Sequence, residues 1–148
     1  MSAIPAAIDK LVLMMGLVGP KVVDGPPVGV WQDEDCIIVG WQRDAGASTE
    51  VNAGVRVEHA EGFVTTDEER FAVACMVSVV GGDMALRPLR ERAVGFYEEV
   101  TAAIRQDPTL LGAVAQAQVS SASIAQYFVQ ESGGVVDISF DVSCIAFL

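Results

Sequence analysis

Side chains able to do chemistry are few in this chain and poorly placed for it. His59 is the sole histidine, so a histidine metal cluster or a Ser-His-Asp relay has no parts, and the imidazole at a strand end reads as structural or solvated. Asp33, Glu34 and Asp35 form an acidic run. A divalent cation needs spaced oxygens around a turn, and three adjacent acids without further spaced ligands read as solvated charge. Ser120, Ser121 and Ser123 offer hydroxyls, but a serine nucleophile needs a positioned base, and the only lysines are Lys10 and Lys21. Val79-Val80-Gly81-Gly82-Asp83 precedes a helical pattern as phosphate loops do. It lacks the lysine and the further glycines, and Asp83 would repel an anion, so a capping turn is expected. No catalytic residue, metal ligand or cofactor is expected, and the chain does not read as an enzyme.

The elements around these residues follow from hydrophobic spacing. Pro5 to about Val18 predicts a first helix, with Ile4, Ile8, Leu11, Met15 and Val18 on its main stripe. At 100° per residue Asp9 and Lys10 fall on the far side, and Leu13 and Leu17 fall beside them, where an isolated subunit exposes two large apolar groups. The connection PKVVDGPPVGVWQDED permits short edge pairing at most. Cys36 to Trp41 predicts a strand buried on both faces. Val51 to His59 alternates and predicts a half-exposed strand. RFAVACMVSVV predicts a central strand with Phe71, Val73, Cys75, Val77 and Val79 on one face.

The stretch Arg90 to Val114, RERAVGFYEEVTAAIRQDPTLLGAV, belongs to a second amphipathic helix from about Arg87 to Gln106. Leu86, Leu89, Ala93, Phe96, Val100 and Ile104 form its apolar face, and Asp107-Pro108 stops it, because the residue before proline is pushed out of helical geometry. Arg87, Arg90 and Arg92 crowd its first turns, where cations oppose the positive end of the dipole. Two last strands, AQVSSASIAQYFVQE and VVDISFDVSCIAFL, meet at Ser132-Gly133-Gly134, a hairpin signal. In the second, Val136, Ile138, Phe140, Val142 and Cys144 are expected inward, with Asp137, Ser139, Asp141 and Ser143 outward in water. The order α-β-β-β-α-β-β predicts an α+β fold in one domain, residues 1–148, whose antiparallel or mixed sheet carries two main helices on one face.

Composition excludes further classes. Twenty acids against nine bases give a net charge of -11, and gripping nucleic acid phosphates requires clustered Lys and Arg. Cys36, Cys75 and Cys144 are widely spaced, each within an apolar run, and read as reduced core thiols. The N-terminal stretch MSAIPAAIDKLVLMMGLVG places Asp9 and Lys10 inside its apolar region. It is expected to be neither signal peptide nor membrane helix, and the chain to work in a cytoplasm-like medium.

A domain with surplus apolar helix surface and no catalytic set suits a subunit of a larger assembly. VVDGPPVG followed by IIVGW, then GDMALRPLRERAVGFYEEVTAAIRQDPTLLGAV, then the closing VSCIAFL resemble the tail terminator proteins of long-tailed actinobacterial phages, a group similar to the lambda-type terminators. The likeness runs along nearly the whole chain in the same order. It implies a structural protein of the virion tail, assembled in the host cytoplasm as a homohexameric ring on the head-proximal end of the tail tube. That ring stops tube elongation and joins the tail to the head connector, and genomic DNA passes its lumen without specific binding. Its expected partners are copies of itself, the tube protein and connector proteins, with no membrane. Leu13, Leu17, Arg87 and Arg90 are the expected interface residues on the helices, and Phe63, Asp67 and Glu68 those of the loop Ala60 to Glu69. That loop and Gln42 to Glu50 are expected to become ordered on assembly. The alternatives are another head-tail connector or minor tail protein, or a small cytosolic ligand-binding or enzymatic α/β domain.

Overall fold

The computed structural model describes residues 2–25, 34–43, 51–53, 55–58, 68–82, 85–129 and 133–147. Among them the order is α1 (Ile4–Met15), β1 (Lys21–Asp24), β2 (Cys36–Val39), β3 (Trp41–Arg43), β4 (Val51–Ala53), β5 (Val55–Glu58), β6 (Glu68–Gly81), α2 (Leu86–Gln106), β7 (Gln116–Val129) and β8 (Gly133–Phe147). This is an α+β fold with a mixed sheet and both helices on one face. The sheet runs β1-β2-β6-β8-β7, β5 pairs β6 alongside, and β3 and β4 form a separate two-stranded ribbon. The β1-β2 pairing is parallel and the others are antiparallel.

There are more strands than the pattern of the sequence suggests, for two physical reasons. The expected strand Cys36 to Trp41 breaks at Gly40, whose φ of 85° is left-handed backbone that glycine enters without a Cβ penalty. Val39 therefore ends β2 and Trp41 begins β3. The expected strand Val51 to His59 also divides. Its first half pairs with β3, Trp41 opposite Ala53, and its second half with β6, Val55 opposite Val73.

The helix-covered face is organised as rows across the strands. Ile37, Val77 and Ile138 form one row, and Val39, Cys75 and Phe140 the next. Ala7, Leu11, Met14 and Met15 of α1 and Leu89, Ala93, Val100 and Ile104 of α2 close over them in one core cluster. The Tyr97 ring meets Phe140 edge-on at 5.5 Å between centroids. Leu86 and Phe96, expected on the inner face of α2, are half-buried at its margin. The first helix ends at Met15 instead of Val18. Gly16 lowers helix propensity there, and the chain leaves through turns toward Gly19-Pro20.

The N-cap residue of α1, Ala3, makes no side-chain capping bond, and Ser2 Oγ accepts from Ile4 N at 3.1 Å. The carboxylate of Glu69, at the start of β6, accepts a hydrogen bond from Ala3 N at 2.8 Å and from Ser2 Oγ at 3.2 Å. A negative group at the positive end of the helix dipole both satisfies a free N–H and ties the helix to the central strand. At the far end of α2, the Asp107 carboxylate accepts from Thr109 Oγ1 at 2.6 Å, Thr109 N at 3.2 Å and Leu111 N at 3.1 Å. These donors hold its pKa below the usual value. Beyond it Leu110 and Leu111 have φ of 49° and 56°, a left-handed pair that costs about 1 to 2 kcal/mol per residue. Leu110 is fully buried, which offsets its share.

The second sheet face departs from the expected polar, watered surface. Asp137 is only 3% exposed and Ser78 5%. Trp41, turned across this face after Gly40, packs with Cys36, Ile38 and Met76, and Val23 joins their margin. Gln42 Nε2 donates to Phe140 O at 2.7 Å and Asp141 Oδ1 at 2.8 Å, so the start of the ribbon is pinned to β8. Buried polar groups require partners. Ser78 Oγ donates to Asp137 Oδ1 at 2.6 Å, and Tyr127 Oη donates to Asp137 Oδ2 at 2.5 Å. Ser139, Asp141 and Ser143 are half-buried.

Candidate assembly surfaces

Several of the chemically capable groups are taken up by local structure. Asp35 is 2.8 Å from Arg92 Nε and accepts from Arg92 Nη2 and Val80 N, both at 3.1 Å. Arg92 Nη2 also reaches Val80 O at 3.0 Å. That cluster joins α2 to β6 and to the entry of β2. Glu34 pairs with Lys21 at 3.5 Å, so two of the three expected solvated acids have cationic neighbours. Ser120 Oγ accepts from Ser143 Oγ at 2.7 Å, and Ser121 Oγ donates to Asp141 Oδ2 at 3.3 Å across the β7-β8 ladder. Among the described residues no three His, Cys, Asp or Glu side chains gather as a metal site, and no helix is long and apolar enough to cross a membrane. His59, Asp33 and Asp83 lie outside the described residues.

The three cysteines are buried and form no disulfide. Burial pushes the Cys75 and Cys144 thiols up to about 12, so both stay protonated and inert near neutral pH. Two clefts are lined by described residues. One of about 250 Å³ runs between Arg70, Gln116 and Ser143, and another of about 350 Å³ lies between Arg105, Pro108 and Gln118. Neither gathers a nucleophile and a base.

The exposed apolar groups form the more informative pattern. Leu13 is 57% exposed and Leu17 87%. The opposite side of α1, through Ala7, Leu11, Met14 and Met15, is committed to the core, so helix geometry leaves Leu13 outward, and Leu17 stands in the turn after the helix. Arg87 is exposed and paired with Glu91 at 3.2 Å along the helix. Arg90 is exposed and its Nη1 donates to Gln126 Oε1 on β7 at 2.7 Å. Glu68 is half-buried and accepts from Arg70 Nε at 2.9 Å. Phe63 and Asp67, with the loops 44–50 and 60–67, lie outside the described residues.

A second apolar patch is absent from the expectations drawn on the sequence. Ile124 is 46% exposed and Phe128 68%, both on β7, a sheet edge. They lie on the helix-covered face, because Ile124 pairs with inward Ile138 and Phe128 is two pairs further along. The signal was present in the sequence. Gln116 to Val129 has no charged residue, although edge strands are ordinarily protected by Lys, Glu or Pro.

Comparison with protein-family models and with curated proteins finds no match.

Proposed function

We propose that this chain is a structural assembly subunit of the tail-terminator kind, forming a ring that caps the head-proximal end of a phage tail tube and joins it to the head connector. The observation that carries this reading is the exposure of Leu13, on a helix whose other side already holds the core, and of Leu17 in the turn that follows it. Burying both against a neighbour is worth roughly 3 to 5 kcal/mol per interface by apolar area. A closed ring repeats that gain at every contact, provided each subunit presents two different patches. The resemblance of the segments quoted above supplies the tail context. The net charge of -11 suits a lumen through which DNA slides, since acidic walls do not hold phosphates.

The test is the solution mass over a range of concentration, together with co-purification with tails. Wild type is expected to form a closed oligomer and to travel with tail parts. Changing Leu13→Asp and Leu17→Asp together is expected to leave a folded monomer that caps no tails. A wild-type protein that stays monomeric throughout and binds no tail component refutes the reading.

A further inference from the structure

From the placement of the two apolar patches, we propose that the β7 patch receives the outer face of α1 from a second copy of this chain. Leu13 and Leu17 would seat on Ile124 and Phe128 in a head-to-tail contact. This rests on the assembly reading above and names the receiving surface.

Three observations converge on it. The first is the gap in the helix layer. Ile124 ends the row Ile37, Val77, Ile138, whose inner members are buried under the helices. Ile138 is 4% exposed and Ile124 46%, so the apolar row runs past the protection that α2 provides. Phe128 ends the row Gly81, Gly134. Those glycines carry no side chains, so beside the ring a helix can approach the sheet closely. Among the described residues the helices leave this end of the face partly open, and α1 carries an apolar residue, Leu13, on its exposed side.

The second is electrostatic. The last turn of α1 carries no basic residue and the first turn of α2 no acidic one. Each end therefore lacks the charge that complements its dipole. Arg87 and Arg90 stand at the α2 end, and Arg90 bonds to Gln126, which lies between Ile124 and Phe128 on the same face. Seating the C-terminal end of a neighbour's α1 on this patch brings those arginines toward carbonyls that have no cation of their own.

The third is the absence of repulsion. Copies with a net charge of -11 repel one another over most of their surface, and β7 carries no charge along its 14 residues. Two copies can approach there without desolvating an acid. Two different patches on one subunit also meet the requirement of a heterologous contact, which self-pairing of β7 would not.

Two single variants, Leu17→Cys and Phe128→Cys, test this, because both positions are exposed and the native thiols are buried. Each protein is first shown to keep the wild-type circular dichroism spectrum, then oxidised alone and as an equimolar mixture. The expected result is a disulfide-linked dimer in the mixture, at least tenfold more abundant than in either protein alone, and its loss when Leu13→Asp is added to the Leu17→Cys chain. Strong dimerisation of Phe128→Cys alone means that β7 pairs with itself, which overturns the head-to-tail contact. Wild-type protein that oligomerises while the mixture stays unlinked overturns the patch assignment and leaves the assembly reading standing. Wild-type protein that remains monomeric and tail-free removes both.

Discussion

β7 and β8 are neighbouring strands of 14 and 15 residues in one hairpin, yet they live in different environments. β8 buries nearly all of its helix-side residues, and β7 buries Ala117 alone. The residue types do not explain this. Ile138 and Ile124 are directly paired on the same face, and one is core while the other stands half in solvent. β8 has a strand on each side and helix α2 above, whereas β7 is the rim strand of the sheet among the described residues. Position in the sheet decides which isoleucine is buried in the core and which is left exposed.

The comparison can be broken by substitution, and the largest effect should come from its most enclosed member. Phe140→Ala removes a ring 1% exposed and in contact with Tyr97, and should lower subunit stability by about 3 to 5 kcal/mol, read from the denaturant midpoint at unchanged slope. A loss below about 1 kcal/mol would mean that β8 is not the centre of the core. The paired isoleucines give a sharper contrast. Ile138→Ala should cost about 2 to 5 kcal/mol, while Ile124→Ala, measured below the concentration at which subunits associate, should stay within about 0.5 kcal/mol of wild type. Equal losses at the two sites would erase the distinction between the strands.

Asp137 tests the second face. Asp137→Ala strips the buried Ser78 hydroxyl of its acceptor and should cost about 1 to 3 kcal/mol. Asp137→Asn, which keeps an acceptor, should cost less. Comparable losses in the two variants would indicate that packing, and not the hydrogen bond, is what matters there.

The thiols predict a pH dependence. Their folded pKa values lie above the unfolded 9.0, at about 12, so the stability they contribute is complete below pH 9 and declines as pH rises from there toward 12. The denaturant midpoint should fall over that window, and less steeply in a Cys75→Ala, Cys144→Ala protein. Identical slopes would place the thiols in a more solvated setting. The smallest effect on the subunit is expected on α1. Leu13→Asp should change its stability by no more than about 0.5 kcal/mol, since the side chain is 57% exposed, while Leu11→Ala, fully buried two residues earlier in the core stripe, should cost about 2 to 5 kcal/mol. Thermal scans of both distinguish the two sides of the helix.

Much of this architecture was legible in one dimension. Helix period placed Leu11 and Met15 inward and Leu13 and Leu17 outward, and strand period placed Phe71, Val73, Cys75, Val77 and Val79 on one face, because side-chain direction follows from local backbone geometry. Asp107-Pro108 marked the end of α2 for an equally local reason. The exposure of Leu13, Leu17, Arg87 and Arg90 was expected from the sequence, whereas that of Ile124 and Phe128 was not. Their alternation looks like that of any covered strand, and only the sheet order makes β7 an edge beyond the helices. Asp137 likewise alternates as a watered residue would. It is buried because Gly40 turns the chain and the second face joins residues distant in sequence: Trp41 packs there, and Ser78 and Tyr127 bond its carboxylate. Glu69 caps α1 from 66 residues away, a relation that no local pattern encodes. Periodicity determined which way each side chain points; what stands opposite it, protein, solvent or a second copy, was decided by long-range pairing, since burial depends on neighbours that the chain reaches only after folding.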